Sequence, residues 1–441
     1  MQQRAANTVP DKVIIIGAGI FGLSTALALA ERYPSTQVIV VDRLTPPVPD
    51  GTSVDTTRCI RSDYADPIYR RLAELAQDKI MNDADLQPYV FQQGMTFVCD
   101  GRPSRFTDVW QRQAERARMN PNSAESTSRE EVFQRIHGKD RLPPELSALE
   151  GKADWCQAYT NLSAAFIDAK ESVQVYYNRC QARPSINFRC GSAVMQIDVI
   201  NQAATGVTLE NGEKLEAGLV VVAAGAWSNK LVSLGTRVHP IGHEVVWFKV
   251  TPEEEERWKH MSITTNMSTG LNIFPPYHGE VKVLRRSPGY INSISVPHPD
   301  DQSKVLHISH PRTAVDSPTD VIPADAELSI RQNLREIMPP LADRPFDRSK
   351  ICWISTTPTS DFLVAPHRSI AGIHLATGGS AHAWKFLPII GDLIVDSVEG
   401  TLAPDLVDKW SFTRQADARD ENAPRMDGEP QELSNVVRHR L

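Results

Sequence analysis

The stretch Val13-Ile14-Ile15-Ile16-Gly17-Ala18-Gly19-Ile20-Phe21-Gly22 joins a β-branched run directly to a Gly-x-Gly-x-x-Gly turn. A short apolar run of this kind reads as a buried parallel strand, and the apolar segment from about Ile20 to Arg32 reads as the helix that follows it. The three glycines serve different ends. Gly17 permits the tight turn, Gly19 lets the backbone approach a pyrophosphate, and Gly22 lets helix and strand pack closely. The helix N-terminus offers N–H groups and a positive dipole end to phosphates. A second apolar strand, Val38-Ile39-Val40-Val41, ends in Asp42, where a carboxylate can accept ribose hydroxyls. Strand, glycines, helix, strand and acid in this order predict a dinucleotide site. The alternative is a glycine-rich turn in an ordinary βαβ unit.

Outward from that unit, the composition is that of a globular enzyme. The chain has 441 residues, 41% hydrophobic and 23% charged, enough for one large core or two linked ones. A net charge of −7 without a basic run argues against nucleic acid as a partner. No apolar stretch approaches the length of a membrane span, and Met1 to Asp11 carries no signal-peptide core. Cys59, Cys99, Cys156, Cys180, Cys190 and Cys352 are scattered without CxxC spacing, which fits a reducing compartment and argues against a zinc site. The C-terminal His439-Arg440-Leu441 is loosely similar to a peroxisomal address of the Ser-Lys-Leu type, the alternative being a plain polar tail. The expected location is intracellular, cytoplasmic or peroxisomal.

The pattern does not divide into two consecutive domains. A loop with Pro46, Pro47, Pro49 and Gly51 leads to Thr57-Arg58-Cys59-Ile60-Arg61, then a helix from about Pro67 to Met81 and a strand from Gly94 to Cys99. Ser128-Arg129-Glu130-Glu131 reads as a capping box opening a short helix. A hairpin is expected after Val207 to Gly212, and a buried strand from Leu219 to Ala223 ending at Gly225. Residues from His243 to His310 are strand-rich, and helices are expected over about Ala324 to Met338 and Ala383 to Val398. Residues from about 414 to 432 read as a poorly ordered charged connector.

Several of these segments together resemble the FAD-dependent amine oxidases typified by monomeric sarcosine oxidase and N-methyltryptophan oxidase. Within them the chain is most similar to the fungal branch with saccharopine, pipecolate and fructosyl-amino-acid oxidases. The resemblance runs through Val13 to Asp42, Pro46 to Tyr64, Leu219 to Ser228, and Cys352 to Gly391. Gly378-Gly379-Ser380-Ala381-His382-Ala383-Trp384-Lys385-Phe386 is similar to the family's Gly-x-Ser-Gly-His-Gly-Phe-Lys-Phe segment, with Ala381 and Ala383 where glycine is common. The fold so implied is α/β: a Rossmann-like FAD domain (1–90, 150–235, 345–413) interleaved with a sheet-rich α+β substrate domain (91–149, 236–344), then a tail (414–441).

The resemblance implies FAD as the only redox cofactor, held by Gly17, Gly19, Ile20, Phe21, Gly22, Asp42, Thr57, Arg58, Gly225, Gly379 and Lys385. Arg43 reaches the adenine or pyrophosphate, or is a solvent-exposed strand-end arginine. Cys352 falls where family members attach the flavin through its 8α carbon; read alone, it is a buried small hydrophobe. Arg61 and Lys385 match the pair that binds an amino-acid carboxylate, a planar fork beside a point charge. Alternatively Arg61 pairs with Asp63 or Asp66 at the surface. His382 either orients substrate or is a packed, hydrogen-bonded histidine. Lys282 matches the lysine that activates oxygen, against the alternative of a solvated strand lysine.

The expected activity is oxidation of a secondary, N-substituted amino acid to an imine, with oxygen reduced to peroxide, by a monomer that needs no metal, nucleic acid or membrane. Saccharopine, pipecolate and sarcosine-like amino acids are the first substrate class. Fructosyl amino acids and N-methylated secondary metabolites are the alternatives. From a different class, a flavin dehydrogenase would pass its electrons to a protein carrier.

Overall fold

The computed structural model of the chain describes residues 9–100, 105–119, 123–126, 129–137, 157–299, 301–415, 428–436 and 438–439. Its centre is the strand Lys12–Ile16, flanked in parallel by Gln37–Asp42 on one side and Leu219–Val222 on the other. Ile186–Cys190 extends the sheet beyond Gln37–Asp42, and Ile373–Thr377 extends it beyond Leu219–Val222, both in parallel. Leu363–Pro366 closes that second edge, antiparallel. Buried on both faces, the central strands read as continuous apolar runs rather than alternating ones.

Alternate residues of one strand feed two cores. Val13 and Ile15 pack with the helices Ile20–Arg32, Ala169–Gln181 and Leu387–Glu399. Ile14 and Ile16 pack on the opposite face against a three-stranded layer, Val194–Ile200, Ala203–Leu209 and Lys214–Glu216. The two helices Ile20–Arg32 and Leu387–Glu399 meet at almost bare backbone. Ser24 Oγ donates to Leu387 O at 2.7 Å and accepts from Gly391 N–H at 2.8 Å. A Cβ on Gly391 would lie 2.0 Å from Ser24 O. Gly391→Ala must therefore push the helices apart; the expected loss is about 1–3 kcal/mol, read as a lower denaturant midpoint at unchanged m value. An unaltered midpoint would mean the contact yields freely.

A second, larger sheet is built around His239–Lys249, which pairs antiparallel with Glu280–Arg285 and, over nine residues, with Arg348–Thr356. From Glu280–Arg285 it continues through Leu271–Ile273, Ile263–Asn266, Met95–Cys99, Gln157–Asn161 and Ser123–Ser126. Helix Ala324–Ile337 covers one face with Ala326, Ile330, Leu334 and Ile337, its 3.6-residue stripe. Two strands from segments grouped by sequence with the first sheet, Gln157–Asn161 and Arg348–Thr356, are thus hydrogen-bonded into the second. Pairing partners far apart in sequence decide this, and no local pattern carries them.

Two further local expectations are corrected. The single helix expected from Ala383 is a 3₁₀ turn, Ala383–Phe386, followed by the α-helix Leu387–Glu399. Pro388 lacks the N–H that would continue one helix across this point. Residues 428–432 are not a loose connector: Gln431–Glu432 pairs in parallel with Tyr290–Ile291, and Leu433 beyond it is fully buried. The remainder of that expected connector, 416–427, lies outside the described residues, as do Ser128 of the capping box, Cys156, Arg440 and Leu441. Among the described residues no helix is long and apolar enough to cross a membrane.

Candidate active site

Where the two sheets meet, one cavity of about 620 Å³ is lined from Gly17 and Asp42 at the first sheet to Lys282 and Cys352 at the second. At the first-sheet end the turn is forced by sterics. Gly17 has φ of 105°, open to glycine, and a Cβ there would lie 2.5 Å from Ala223 O. A Cβ on Gly22 would lie 1.8 Å from Gly17 O, so the helix can start this close to the strand only without a side chain. Asp42 is tied to the turn it follows: its carboxylate accepts Ala18 N–H at 2.8 Å and Leu44 N–H at 3.0 Å. Burial raises its pKa, and these two backbone N–H groups work in the opposite direction. Ile20 N–H, at the helix start, is already taken by Ser53 Oγ at 3.0 Å. One of the N–H groups that the sequence offers to a phosphate is therefore used inside the protein. Arg43 is neither solvent-exposed nor free, since it pairs with Asp50 and lies 4.8 Å over the Trp227 ring.

Thr57 and Arg58 also line the cavity, with Gly225 and Gly379. Among the described residues Thr57 Oγ1 is buried without a hydrogen-bond partner, the state of a group that a ligand completes. Arg58 pairs with the fully buried Asp55 and donates to Thr52 O at 2.8 Å. Lys282 shares the same carboxylate at 3.3 Å and donates to Thr57 O at 2.6 Å. It is 2% exposed and lies 4.1 Å over Phe274, so it is not a solvated strand lysine. Burial lowers the Lys282 ammonium to about 8, with Asp55 opposing that fall. Burial alone would raise the Asp55 carboxyl, but Lys282, Arg58 and Lys350 hold it far below the usual carboxylate range. Cys352 is buried on the strand paired with His239–Lys249, opposite His243, and also lines the cavity.

The remaining cations converge around Tyr64. Lys385 Nζ donates to Tyr64 OH at 2.8 Å and to His382 O at 2.9 Å. Arg61 lies 5.2 Å over the Tyr64 ring and 5.3 Å over Phe97, and donates to the backbone carbonyl of Asp63. It forms no surface ion pair with Asp63 or Asp66: the first carboxylate accepts from Asn161 at 2.7 Å, the second caps helix Pro67–Met81. Burial, with Arg61 and Arg286 close by, pushes the Lys385 ammonium well below its ordinary value. His382 uses both ring nitrogens, at 3.0 Å to Tyr64 OH and 2.7 Å to Ser360 O, and packs against Tyr69 and Phe362. Ala381 before it has φ of 63°. That is a left-handed backbone costing a non-glycine residue roughly 1–2 kcal/mol, a physical reason for glycine at such a position.

Asp55, Tyr64 and Arg286 escape the sequence reading. A carboxylate in a Pro- and Gly-rich loop looks solvated, and only the fold brings Lys282 onto it. Arg286 had a usable signal, because Lys282, Leu284 and Arg286 alternate along one strand direction and all three line the cavity.

The residues fit a dinucleotide cofactor: a turn without Cβ atoms, an acid at the end of the next strand, an unpartnered hydroxyl, and a cavity within the usual ligand range of about 300–1,000 Å³. Comparison with known proteins agrees. The model of the FAD dependent oxidoreductase family matches residues 12–397. The chain is 30% identical to L-saccharopine oxidase of Schizosaccharomyces pombe, over 91% of this chain and 92% of that one. It is 22% identical to monomeric sarcosine oxidase of a Bacillus species, over 87% and 91%. Among solved structures it is similar to fructosamine oxidase (Amadoriase II) of Aspergillus fumigatus in complex with FSA. That likeness has a TM-score of 0.82 at 25% identity and covers 100% of this chain and 99% of that one.

Proposed function

This chain belongs to the FAD dependent oxidoreductase family, and from that premise we propose that it oxidises the carbon–nitrogen bond of a secondary, N-substituted amino acid to an imine, with dioxygen reduced to hydrogen peroxide. The observation that carries this reading is a single cavity lined at once by the dinucleotide turn, by Arg61 and Lys385, and by the buried Lys282. FAD supplies the two-electron acceptor when bound, and the protein's part is positioning and electrostatics.

Backbone at Gly17, Gly19, Phe21 and Gly22 would hold the pyrophosphate, with Ile20 beside it and its own N–H kept by Ser53 Oγ; Asp42 would hold the ribose, and Thr57, Arg58, Gly225, Gly379 and Lys385 the rest of the cofactor, with Cys352 as its covalent anchor. Arg61 and Lys385 hold the substrate carboxylate. Their positive charge disfavours an ammonium beside them, so the bound amine is held neutral, its lone pair free to assist C–H cleavage. Tyr64 and His382 fix the lysine; His382 is a positioning residue, since both its nitrogens are engaged within the protein. Lys282, kept charged by Asp55, stabilises the negative charge that develops on oxygen.

The test is an aerobic panel of N-substituted and primary amino acids with peroxide detection. Peroxide from saccharopine, pipecolate or sarcosine-like compounds is expected; peroxide from none of the N-substituted members would overturn the reading. A fructosyl amino acid belongs in the panel, because the fold is so like that of the fructosamine oxidase named above.

The anchor is tested separately. Acid-precipitated holoenzyme should keep its yellow colour, with the flavin mass on the peptide that holds Cys352, and Cys352→Ser should release free FAD. Complete release from the unaltered protein would remove the covalent link and leave the oxidase reading standing.

A further inference from the structure

We infer that Arg286 binds a second anionic group, carried on the nitrogen substituent of the substrate, and so selects amino acids N-substituted with a carboxylate-bearing chain. The inference rests on the oxidase reading above and narrows its substrate class.

Among the described residues five arginines line the cavity, and four are satisfied inside the protein. Arg43 pairs with Asp50, Arg58 with Asp55, Arg312 with Asp320, and Arg61 donates to the carbonyl of Asp63. Among the described residues the guanidinium of Arg286 has no such partner. Its backbone N–H is fixed to Gly270 O at 2.9 Å just past the strand Glu280–Arg285, which aims the side chain with Lys282 and Leu284 into the cavity. The acid nearest in sequence pairing, Glu244, is occupied by Arg285 at 2.9 Å and Ser287 at 2.9 Å. The charges that do act on Arg286 include a like one: burial and the neighbouring Arg61 both weaken its hold on its proton. Arg286 acts in turn on Lys385.

Three cations thus share one end of the cavity, where one α-carboxylate needs two. A guanidinium taken out of water without a counter-ion is unfavourable unless a ligand supplies the anion. A planar fork also suits a carboxylate geometrically, as an ammonium does not. The remaining anion must sit on the part of the substrate beyond the nitrogen, since the α-carboxylate already meets Arg61 and Lys385.

The experiment uses holoenzyme and two thioether analogues, in which sulfur replaces the secondary nitrogen so that binding is read without turnover. One analogue carries a carboxylate on the far arm and the other a methyl group. Calorimetry on the unaltered enzyme should show tighter binding of the carboxylate-bearing analogue. Arg286→Met should weaken that analogue by about 30- to 1,000-fold, the loss of one buried charge partner, and so collapse the preference between the two. Arg286→Lys should restore part of it, which a packing defect would not allow; Arg286→Gln serves if the Met variant fails to fold. Equal weakening of both analogues, or no preference in the unaltered enzyme, would overturn the role of Arg286. If the enzyme turns over N-methyl amino acids but rejects those with an acidic arm, this inference fails alone. If it turns over no N-substituted amino acid, the oxidase reading fails with it.

Discussion

Lys282→Met should slow reoxidation of the reduced enzyme by oxygen about 10²–10³-fold, the usual effect of removing one preorganised electrostatic contact, while reduction by substrate without oxygen changes no more than a few-fold. The separation follows from where the ammonium sits. It is buried against Phe274, Thr57 O and Asp55, and it is not among the groups around Tyr64 proposed to hold the substrate carboxylate. Methionine keeps the apolar stem, and Asp55 retains Arg58, so no carboxylate is left alone. The pH dependence has a definite sign. The charged form does the work and its pKa is depressed to about 8, so reoxidation should fall as pH rises through about 8. Asp55→Asn removes the group that opposes that depression and should move the fall to lower pH. Stopped-flow absorbance reads both half-reactions on one sample. Equal slowing of both would indicate a packing defect, and unimpaired reoxidation would take Lys282 out of the mechanism and favour electron transfer to a protein carrier.

Arg61→Met should raise the apparent substrate constant by tens- to thousands-fold, since losing one charge-assisted partner of a buried anion costs about 2–5 kcal/mol. Methionine preserves the packing over Tyr64 and Phe97, so flavin content should be unchanged. Two effects then compete. The clamp loses its bidentate fork, but Lys385 loses a neighbour that disfavours its charge and holds its proton more firmly. The fork dominates, because a point charge fixes the position of a carboxylate less well than two parallel hydrogen bonds. Binding should therefore weaken while the pH at which it weakens further moves upward. An unchanged constant for an amino-acid substrate would mean that the carboxylate binds elsewhere.

What the chain discloses before folding is local. Val13 to Gly22 and Val38 to Asp42 determine strand, turn, helix and strand through periodicity and glycine sterics alone, and the observed helix Ile20–Arg32 has the expected bounds. Leu219 to Ala223 reads as a buried strand, but nothing local says that its neighbours are Lys12–Ile16 and Ile373–Thr377. The nine-residue pairing of Arg348–Thr356 with His239–Lys249 is equally silent, although it puts Cys352 on the cavity wall. Charge compensation is harder still to read. Asp55 is legible only once Lys282 and Arg58 share its carboxylate, and the hydrogen bonds of His382 to Tyr64 and Ser360 exist only in the folded chain. Arg286 is the exception, because period-two spacing from Lys282 gives its direction in the sequence itself.

Anaerobic titration of the holoenzyme with an N-substituted amino acid, followed by admission of oxygen, decides whether the chain is an FAD-dependent oxidase of such amino acids. Stoichiometric bleaching of the flavin absorbance by the amino acid is expected, then full return of colour on oxygen with one peroxide formed for each imine. No bleaching by any N-substituted amino acid, or bleaching that oxygen does not reverse, would contradict the oxidase reading.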